Sequence, residues 1–408
     1  MNLACEVSKL DPLTSRRPRI LYVITRAERG GAQTHLLNLL HAMHHDFEVL
    51  LATGEEGFLT EACRTRGIPV HVIPLLQRRI NPFADVKALF SLRKLIRDFR
   101  PDLLHAHTSK AGFLTRLAGR TLGVPSVYTI HTWLFGTPAI SKISSLLGWP
   151  GERLAARWCD RIITVARAGA DVIGRSGIAS GEKVVTIYNG IPDCGEQANL
   201  SSVRSPTLVM VARFTEAKDH DTLLRAFAKT RAETRLLLVG DGHLRAKFEA
   251  LARELRIETR VDFLGDRGDV PSILARADIF VLASKTEMFP ISILEAMRAG
   301  LPVISSQVGG VSEIVTHGET GLLVESQSVD ALTHALNAMI ASLELRRRLG
   351  QQARQRFLSA HLSTQMEEQT RAVYLDVLRT RGSQAARQVT VPNGLGYVEA
   401  SKPETIRF

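Results

Sequence analysis

Short apolar runs alternate with segments of helical periodicity along most of this chain. In the first half the apolar runs lie at 19–25, 47–53, 69–73, 102–107, 126–130, 161–165 and 183–188. In the second half they lie at 207–213, 235–240, 260–265, 278–284, 301–306 and 321–326. Strand-length runs separated by helical segments predict parallel sheets with crossover helices. We therefore predict an α/β fold with two Rossmann-like, doubly wound domains that face each other across a cleft.

Polar residues rich in turn formers separate the two halves. The stretch IPDCGEQANLSSVRSP at 191–206 lacks a strand or helix period, and we place the linker at 196–206. The other predicted segments are a loose leader at 1–18, domains at 19–195 and 207–360, a helical stretch at 361–381 and a disordered tail at 382–408.

Composition narrows the class of protein. The chain has 408 residues, of which 45% are hydrophobic and 23% charged, as is typical of a globular protein with two sizeable cores. No apolar run reaches the roughly 18–20 residues that span a bilayer, and the N-terminus has no apolar core of the signal-peptide kind. Four scattered cysteines without a C-x-x-C pair favour free thiols in a reducing cytoplasm over disulfides or zinc.

The net charge of +11 is concentrated in the first half, since residues 1–200 contain 25 Lys/Arg and 17 Asp/Glu. This predicts an anionic partner for the N-terminal domain. Nucleic acid is not expected, because aromatic residues are only 6% of the chain and no recognition motif is present. A phosphorylated acceptor fits better, as does an anionic membrane face, which would make the protein peripheral on the inner face of the plasma membrane.

Glu287 and Glu295 stand eight residues apart in SKTEMFPISILEAMRAGLPVISS. Pro290 suits the first turn of a helix, and Gly300 ends the helical run. One carboxylate thus precedes a helix N-terminus and the other lies inside the helix, with the free N–H groups of residues 291–293 between them. Such an N-terminus attracts phosphate, and flanking carboxylates suit sugar hydroxyls. The alternative is an N-terminal cap beside a solvated glutamate.

Arg213 ends the first strand of the second half, and Lys218 precedes the next helix. Two cations at the carboxyl edge of a sheet suit a diphosphate, although an exposed basic loop is the alternative. Gly240 begins a tight turn after the next strand, where backbone can approach a ligand. In the first half, Gly30 and Gly31 connect a strand to a helix in the same way, without the G-x-G-x-x-G fingerprint.

Histidines end two strands of the first half. His107 and Lys110 belong to HAHTSKAG, with His105 further inside the strand, and His131 follows SVYTI. A strand-end histidine can orient a hydroxyl or phosphate or act as a base, or it can be a structural residue bonded to backbone. A metal site is not expected, because no third ligand follows at a suitable spacing.

Residues 85–100 form an amphipathic basic helix. Leu89, Leu92, Ile96 and Phe99 share one stripe, which favours a crossover helix packed on the sheet. A membrane-surface role for its basic face is the alternative.

Taken in order, these motifs resemble the retaining glycosyltransferases of family 4, which have the GT-B fold. The resemblance extends over about residues 20–375 and also includes YNGIP at 188–192, GGVSEIV at 309–315 and HGETGLLV at 317–324. HTSKAGFLTRLAGR and ARFTEAKDHDTLL are similar to the branch that builds bacterial surface polysaccharides.

The resemblance implies transfer of a hexose or N-acetylhexosamine from a nucleotide sugar, foremost a UDP-sugar, to a saccharide or polyprenyl-linked acceptor. The N-terminal domain would bind the acceptor and the C-terminal domain the donor, with helix 361–381 packing back toward the N-terminal domain. No metal or other cofactor is expected, because fixed cations and a helix N-terminus would stabilise the charge.

The implied roles follow residue by residue. Arg213 and Lys218 would bind the donor diphosphate and stabilise the leaving group. Glu287 would contact the sugar hydroxyls and His131 the sugar near its reacting carbon, while Glu295 would hold the ribose. The other implied donor contacts are Gly30, Gly31, Gly240, Met288, Phe289, Pro290 and Ile291, and the implied acceptor contacts are His107 and Lys110.

Two positions depart from the family. Met288 stands where the family usually has glycine, and Asp219 where it often does. A methionine cannot adopt a positive φ cheaply, so a differently shaped loop is expected there, and the donor sugar stays open. A nucleotide-sugar epimerase on the same fold and a non-catalytic nucleotide-sugar sensor are the alternative functions.

Overall fold

The computed structural model describes residues 16–132, 142–194, 196–200, 206–231 and 233–382, and of 142–149 the backbone only. The predicted leader and tail therefore lie almost entirely outside these ranges. Residues 16–18 of the expected leader are held against the first domain instead. The guanidinium of Arg16 donates two hydrogen bonds of 2.9 Å to Asp102, and the carbonyl of Pro18 accepts one from the amide of Glu48.

Seven parallel strands form the sheet of the N-terminal domain in the described residues, in the order β3-β2-β1-β4-β5-β6-β7. They are β1 (Arg19–Ile24), β2 (Glu48–Thr53), β3 (Val70–Val72), β4 (Leu103–His107), β5 (Ser126–Ile130), β6 (Arg161–Thr164) and β7 (Val184–Thr186). The helices are α1 (Gly31–Met43), α2 (Phe58–Thr65), α3 (Pro82–Phe99), α4 (Ser109–Leu122), α5 (Lys142–Arg157) and α6 (Arg167–Arg175).

The C-terminal domain contains a second parallel sheet, with six described strands in the order β10-β9-β8-β11-β12-β13. They are β8 (Thr207–Val211), β9 (Arg235–Val239), β10 (Val261–Gly265), β11 (Ile279–Leu282), β12 (Val303–Ser306) and β13 (Gly321–Val324). The helices are α7 (His220–Ala228), α8 (Arg245–Glu254), α9 (Val270–Ala275), α10 (Ile291–Arg298), α11 (Val311–Ile314), α12 (Val329–Ala341) and α13 (Leu343–Ala360).

The last described helix, α14 (Ser363–Thr380), lies in the core of the N-terminal domain. Its Met366, Val373 and Tyr374 are buried in one cluster with Ile20 and Phe47. The hydroxyl of Tyr374 is 2.5 Å from Nδ1 of His105 in β4. Helix α14 therefore completes the core of the N-terminal domain, although it follows the C-terminal domain in the sequence.

All thirteen predicted strands are confirmed, and their ends differ from the prediction by at most two residues. The fold class is likewise confirmed, because both sheets are parallel and carry crossover helices. Within the described ranges, no helix has both the length and the apolar character needed to cross a bilayer.

The stripe predicted for the helix at 85–100 is partly wrong. The helix begins at Pro82, and its fully buried side chains are Ala88, Leu92, Leu95 and Ile96. Leu89 and Phe99 are only half-buried. The packed stripe thus keeps Leu92 and Ile96 of the prediction and contains Ala88 and Leu95 in place of Leu89 and Phe99.

Candidate active site

The order of strands reverses beside β1 and beside β8, and the loops that follow these two strands meet across the cleft. Such reversals open crevices at the carboxyl edge of a sheet. A Cβ built on Gly30 would lie 2.5 Å from Nη2 of Arg213, and one on Gly31 would lie 4.0 Å from Cδ1 of Ile291. The glycine loop of one domain therefore lies against the cation and the α10 N-terminus of the other.

Arg213 is neutralised in this structure by a residue of the opposite domain. Its guanidinium donates a 2.7 Å hydrogen bond to Glu28, in the loop after β1. A second pair across the cleft joins Arg29 to Asp266 at 3.6 Å. Glu28 was not predicted as a site residue. A diphosphate that binds Arg213 must displace or share this carboxylate.

Lys218 and Glu287 form an ion pair. Glu287 is only 9% exposed, and it also accepts a 2.7 Å hydrogen bond from the hydroxyl of Ser284. Lys218 is the last residue of the short 3₁₀ helix Glu216–Lys218, which follows β8. These contacts place one of the predicted cations beside the first predicted carboxylate.

Gly240 holds two strand ends together. Its φ is +133°, and a Cβ at this position would lie 2.2 Å from the carbonyl oxygen of Ala212. Only glycine combines that backbone conformation with so close an approach. Gly240 therefore fixes the backbone beside Arg213.

A positive φ occurs at Asp219, the second position that departs from the family, and not at Met288. Asp219 has φ +49°, whereas Met288 is not among the described non-glycine residues with positive φ. Aspartate tolerates the left-handed region better than most residues, because its short side chain bonds locally. Here Asp219 accepts a 2.8 Å hydrogen bond from the hydroxyl of Thr222. Met288 avoids a positive φ, as expected of a methionine, and a loop shaped differently from that of the family stays a prediction.

Met288 instead lies between the two domains. It is buried, and a Cβ on Gly169 in α6 would touch its Cε at 3.4 Å. Its carbonyl oxygen would be 2.2 Å from a Cβ on Gly310, so the glycine loop before α11 packs directly on it. Met288 thus packs at the interface between the two domains.

The N-terminus of α10 points into this region, one residue later than predicted. Pro290 is the N-cap (φ −70°, ψ 121°), so the first-turn amides begin at Ile291. Gly300, with φ +76°, follows the helix end, as is common at helix C-termini. Glu295 lies one turn inside α10 and is half-buried. Burial raises the pKa of Glu295 to about 7, against the opposing charges of Arg298 and Arg29.

Three histidines of the N-terminal domain form a cluster, in which His35 and His107 are buried and His131 is half-buried. Nδ1 of His107 is 2.9 Å from Nε2 of His131, and the rings of His35 and His131 lie 4.7 Å apart. Nδ1 of His35 is 2.9 Å from Oδ1 of Asn189, whose amide nitrogen donates to the carbonyl of Phe289 at 2.9 Å. Asn189 therefore links the histidine cluster to the residue that precedes Pro290.

The cluster is composed of neutral imidazoles. Burial lowers the pKa of His35 to about 4 and holds the pKa of His107 and of His131 well below its ordinary value. Ring nitrogens of all three lie within 4.8 Å of one another, so these residues could hold a transition metal such as Zn²⁺. The sequence argument against a third ligand was wrong, because His35 approaches from α1, far from His107 in the sequence.

Lys110, the predicted acceptor contact, is engaged at the edge of the cleft. It forms an ion pair with Asp85 and donates to the carbonyl of Arg79. Only 14% of its side chain is exposed. An acceptor would have to compete with Asp85 for this cation.

Two further contacts join the domains. Glu313 accepts hydrogen bonds of 2.8 and 2.9 Å from the first amides of α6, at Arg167 and Ala168. The ring of Tyr188 stacks on Phe289 at 5.0 Å. Glu313 belongs to the motif GGVSEIV and Tyr188 to YNGIP, but no role was predicted for either residue. The sequence indicated His35 less clearly than these two residues, because its only feature is its position four residues after Gly31, one turn into α1.

Comparison with known proteins identifies relatives for both halves. The family model described as Glycosyltransferase Family 4 matches residues 29–193, and the one described as Glycosyl transferases group 1 matches residues 196–356. The UDP-Gal:alpha-D-GlcNAc-diphosphoundecaprenol alpha-1,3-galactosyltransferase of Escherichia coli is 30% identical over 312 residues, which are 72% of this chain and 80% of that protein.

A second relative matches a shorter part of the chain, and one solved structure shares its fold. The N-acetyl-alpha-D-glucosaminyl L-malate synthase of Bacillus anthracis is 36% identical over 174 residues, 42% of this chain and 46% of that protein. The crystal structure of Anabaena Alr3699/HepE in complex with UDP-glucose superposes with a TM-score of 0.77 at 22% identity, covering 88% of this chain and 99% of that one. That likeness shows the GT-B fold.

Proposed function

The chain belongs to glycosyltransferase family 4, and on this basis we propose that it transfers a hexose or N-acetylhexosamine from a UDP-sugar, with retention of configuration. The proposed acceptor is a saccharide or polyprenyl-linked hydroxyl in surface-polysaccharide synthesis. The E. coli relative is named for a UDP-linked donor and a diphosphoundecaprenol-linked acceptor, and the Anabaena neighbour binds UDP-glucose. Both support the proposed substrate classes.

The observation that carries the proposal is the convergence of three anion-binding features on one part of the cleft. Gly30 lies against Arg213, Gly31 lies near Ile291 at the α10 N-terminus, and Lys218 pairs with Glu287. Helix amides and fixed cations together bind a diphosphate and stabilise its charge as the sugar departs.

We assign Arg213, Lys218 and the α10 amides to the diphosphate, Glu287 to the sugar hydroxyls and Glu295 to the ribose. His131 lies beside His107 and His35 at the opposite wall. A neutral imidazole there can accept or donate a hydrogen bond to the transferred sugar. Front-face attack assisted by the leaving phosphate is the proposed route to retention.

The experiment that tests this function combines the protein with a panel of UDP-sugars and membrane extract that contains lipid-linked acceptors. We expect acceptor-dependent UDP release from one donor, an α-linked product by NMR, and a rate that EDTA leaves unchanged. Conversion of the donor to an isomer without acceptor would identify an epimerase. Donor binding without turnover by any extract would identify a sensor. An inverted product would refute the retaining mechanism, and loss of activity with EDTA would refute metal independence.

Glu295 makes donor affinity sensitive to pH. Its pKa of about 7 means that it is largely protonated near pH 6 and ionised near pH 8. Ribose hydroxyls donate better to the carboxylate, so binding favours the ionised form. We expect UDP affinity measured by calorimetry to rise up to about tenfold from about pH 6 to about pH 8. Glu295→Gln should bind more weakly and remove most of this rise. An unchanged pH profile in that variant would contradict the assignment.

A further inference from the structure

Helix α3 exposes large apolar side chains on the side opposite its packed stripe. Ile80, Phe83, Val86 and Phe90 are 87%, 85%, 53% and 65% exposed. Phe83, Val86 and Phe90 follow helical spacing and form one stripe, which we call, together with Ile80, the outer face of α3. Clustered exposed aromatic residues on a soluble protein mark an interaction surface. The sequence periodicity predicted only the packed side.

Cations surround this outer face. Residues 78–100 contain seven Lys/Arg and two Asp. Asp85 pairs with Lys110 and Asp98 with Lys94. Among the described residues, no ion pair involves Arg78, Arg79 or Lys87, and all three are exposed. An apolar stripe rimmed by unneutralised cations is the composition of a helix that lies in the interface of an anionic membrane.

The outer face of α3 lies at the side of the N-terminal domain that carries the site. Lys110 is in the first turn of α4, directly after the carboxyl end of β4, and it binds both Asp85 and the carbonyl of Arg79. The segment that carries the exposed residues is thus attached beside His107 at the carboxyl edge of the sheet. A surface bound there would hold the acceptor side of the cleft near the bilayer.

We propose that the outer face of α3, with Arg78, Arg79 and Lys87, binds an anionic phospholipid surface. Phe83 and Phe90 enter the acyl boundary and the three cations contact phosphate headgroups. Self-association through the same face would place its cations against those of a second copy, which is unfavourable. The inference deepens the proposed function, since a polyprenyl-linked acceptor lies in the membrane.

The test is co-sedimentation of the full chain with vesicles of phosphatidylcholine alone or mixed with phosphatidylglycerol. We expect binding to the mixed vesicles, little binding to phosphatidylcholine, and release in high salt. The double variant Phe83→Asp/Phe90→Asp should lower the partition coefficient at least about tenfold. Asp at position 83 suits the first turn of α3, so the fold is expected to persist. Leu358→Asp, at a residue 41% exposed on α13, is the matched control and should bind normally.

Each outcome decides the inference. Absence of wild-type binding, or equal binding by the double variant, refutes it. A concentration-dependent dimer that the double variant abolishes would assign the surface to self-association and also refute it. Turnover of a water-soluble acceptor analogue is read separately and should be equal in wild type and double variant. Transfer without vesicle binding refutes the inference alone, whereas vesicle binding without transfer refutes the proposed function alone.

Discussion

Lys218→Ala should lower turnover at least about 100-fold, the usual scale for loss of one electrostatic contact to developing charge. Lys218 would otherwise stabilise the departing diphosphate, and in the free protein it pairs with Glu287, which is only 9% exposed. Removing it therefore also removes an ion pair of a nearly buried carboxylate. Steady-state kinetics with the donor identified in the screen measures both kcat and KM, and we expect the larger change in kcat.

Lys229→Ala is the matched control for this variant. Lys229 also pairs with an acidic residue, Asp330, but at the far end of α7 and with half of its side chain exposed. We expect normal turnover there. If Lys218→Ala and Glu295→Ala both retained near-normal rates, the assignment of the donor site would be wrong.

Glu152→Ala should destabilise the N-terminal domain by roughly 3–5 kcal/mol, because it leaves a buried guanidinium without its carboxylate. Arg116 has no exposed side-chain surface and donates hydrogen bonds of 2.6 and 3.0 Å to Glu152. Its Nε donates to the carbonyl of Gly112, and its guanidinium lies 4.2 Å from the ring centre of Tyr128. Chemical denaturation followed by circular dichroism measures the loss.

An exposed pair provides the comparison for Glu152. Lys94 and Asp98 form an ion pair one turn apart on α3, with both side chains more than half exposed. Asp98→Ala should leave the denaturation midpoint nearly unchanged, since solvent screens such pairs. Equal effects of Asp98→Ala and Glu152→Ala would show that burial does not control the strength of these interactions here.

The sheets could be predicted because strands covered on both faces by helices read as continuous apolar runs. RILYVI and TLVMV are examples, and both are central strands. The exposure of the aromatic residues of α3 could not be predicted. Apolar residues occupy two opposite sides of this helix, and the hydrophobic period does not say which of the two sides packs on the sheet. Phe83 and Phe90 belong to the second stripe.

Arg213 and His131 could be assigned to the candidate site from the sequence because both follow strand ends, and their roles stay predictions. Glu28 and Asn189 were missed because their roles arise from contacts across the cleft, with Arg213 and with the carbonyl of Phe289. A linear pattern carries no information about which loops of two domains will meet. The sequence identified Asp219 as standing where the family often has glycine, and its positive φ is the conformation that glycine adopts most readily.

The return of α14 to the first domain separates the order of synthesis from the order of folding. The strands of the N-terminal sheet leave the ribosome before the C-terminal domain, yet Tyr374 and its neighbours, which complete the core of that sheet, leave after it. Domains otherwise tend to fold as they emerge. We therefore expect the C-terminal domain to fold while the N-terminal domain still exposes the apolar surface around Ile20 and Phe47. Loss of α14 would therefore expose the core of the N-terminal domain.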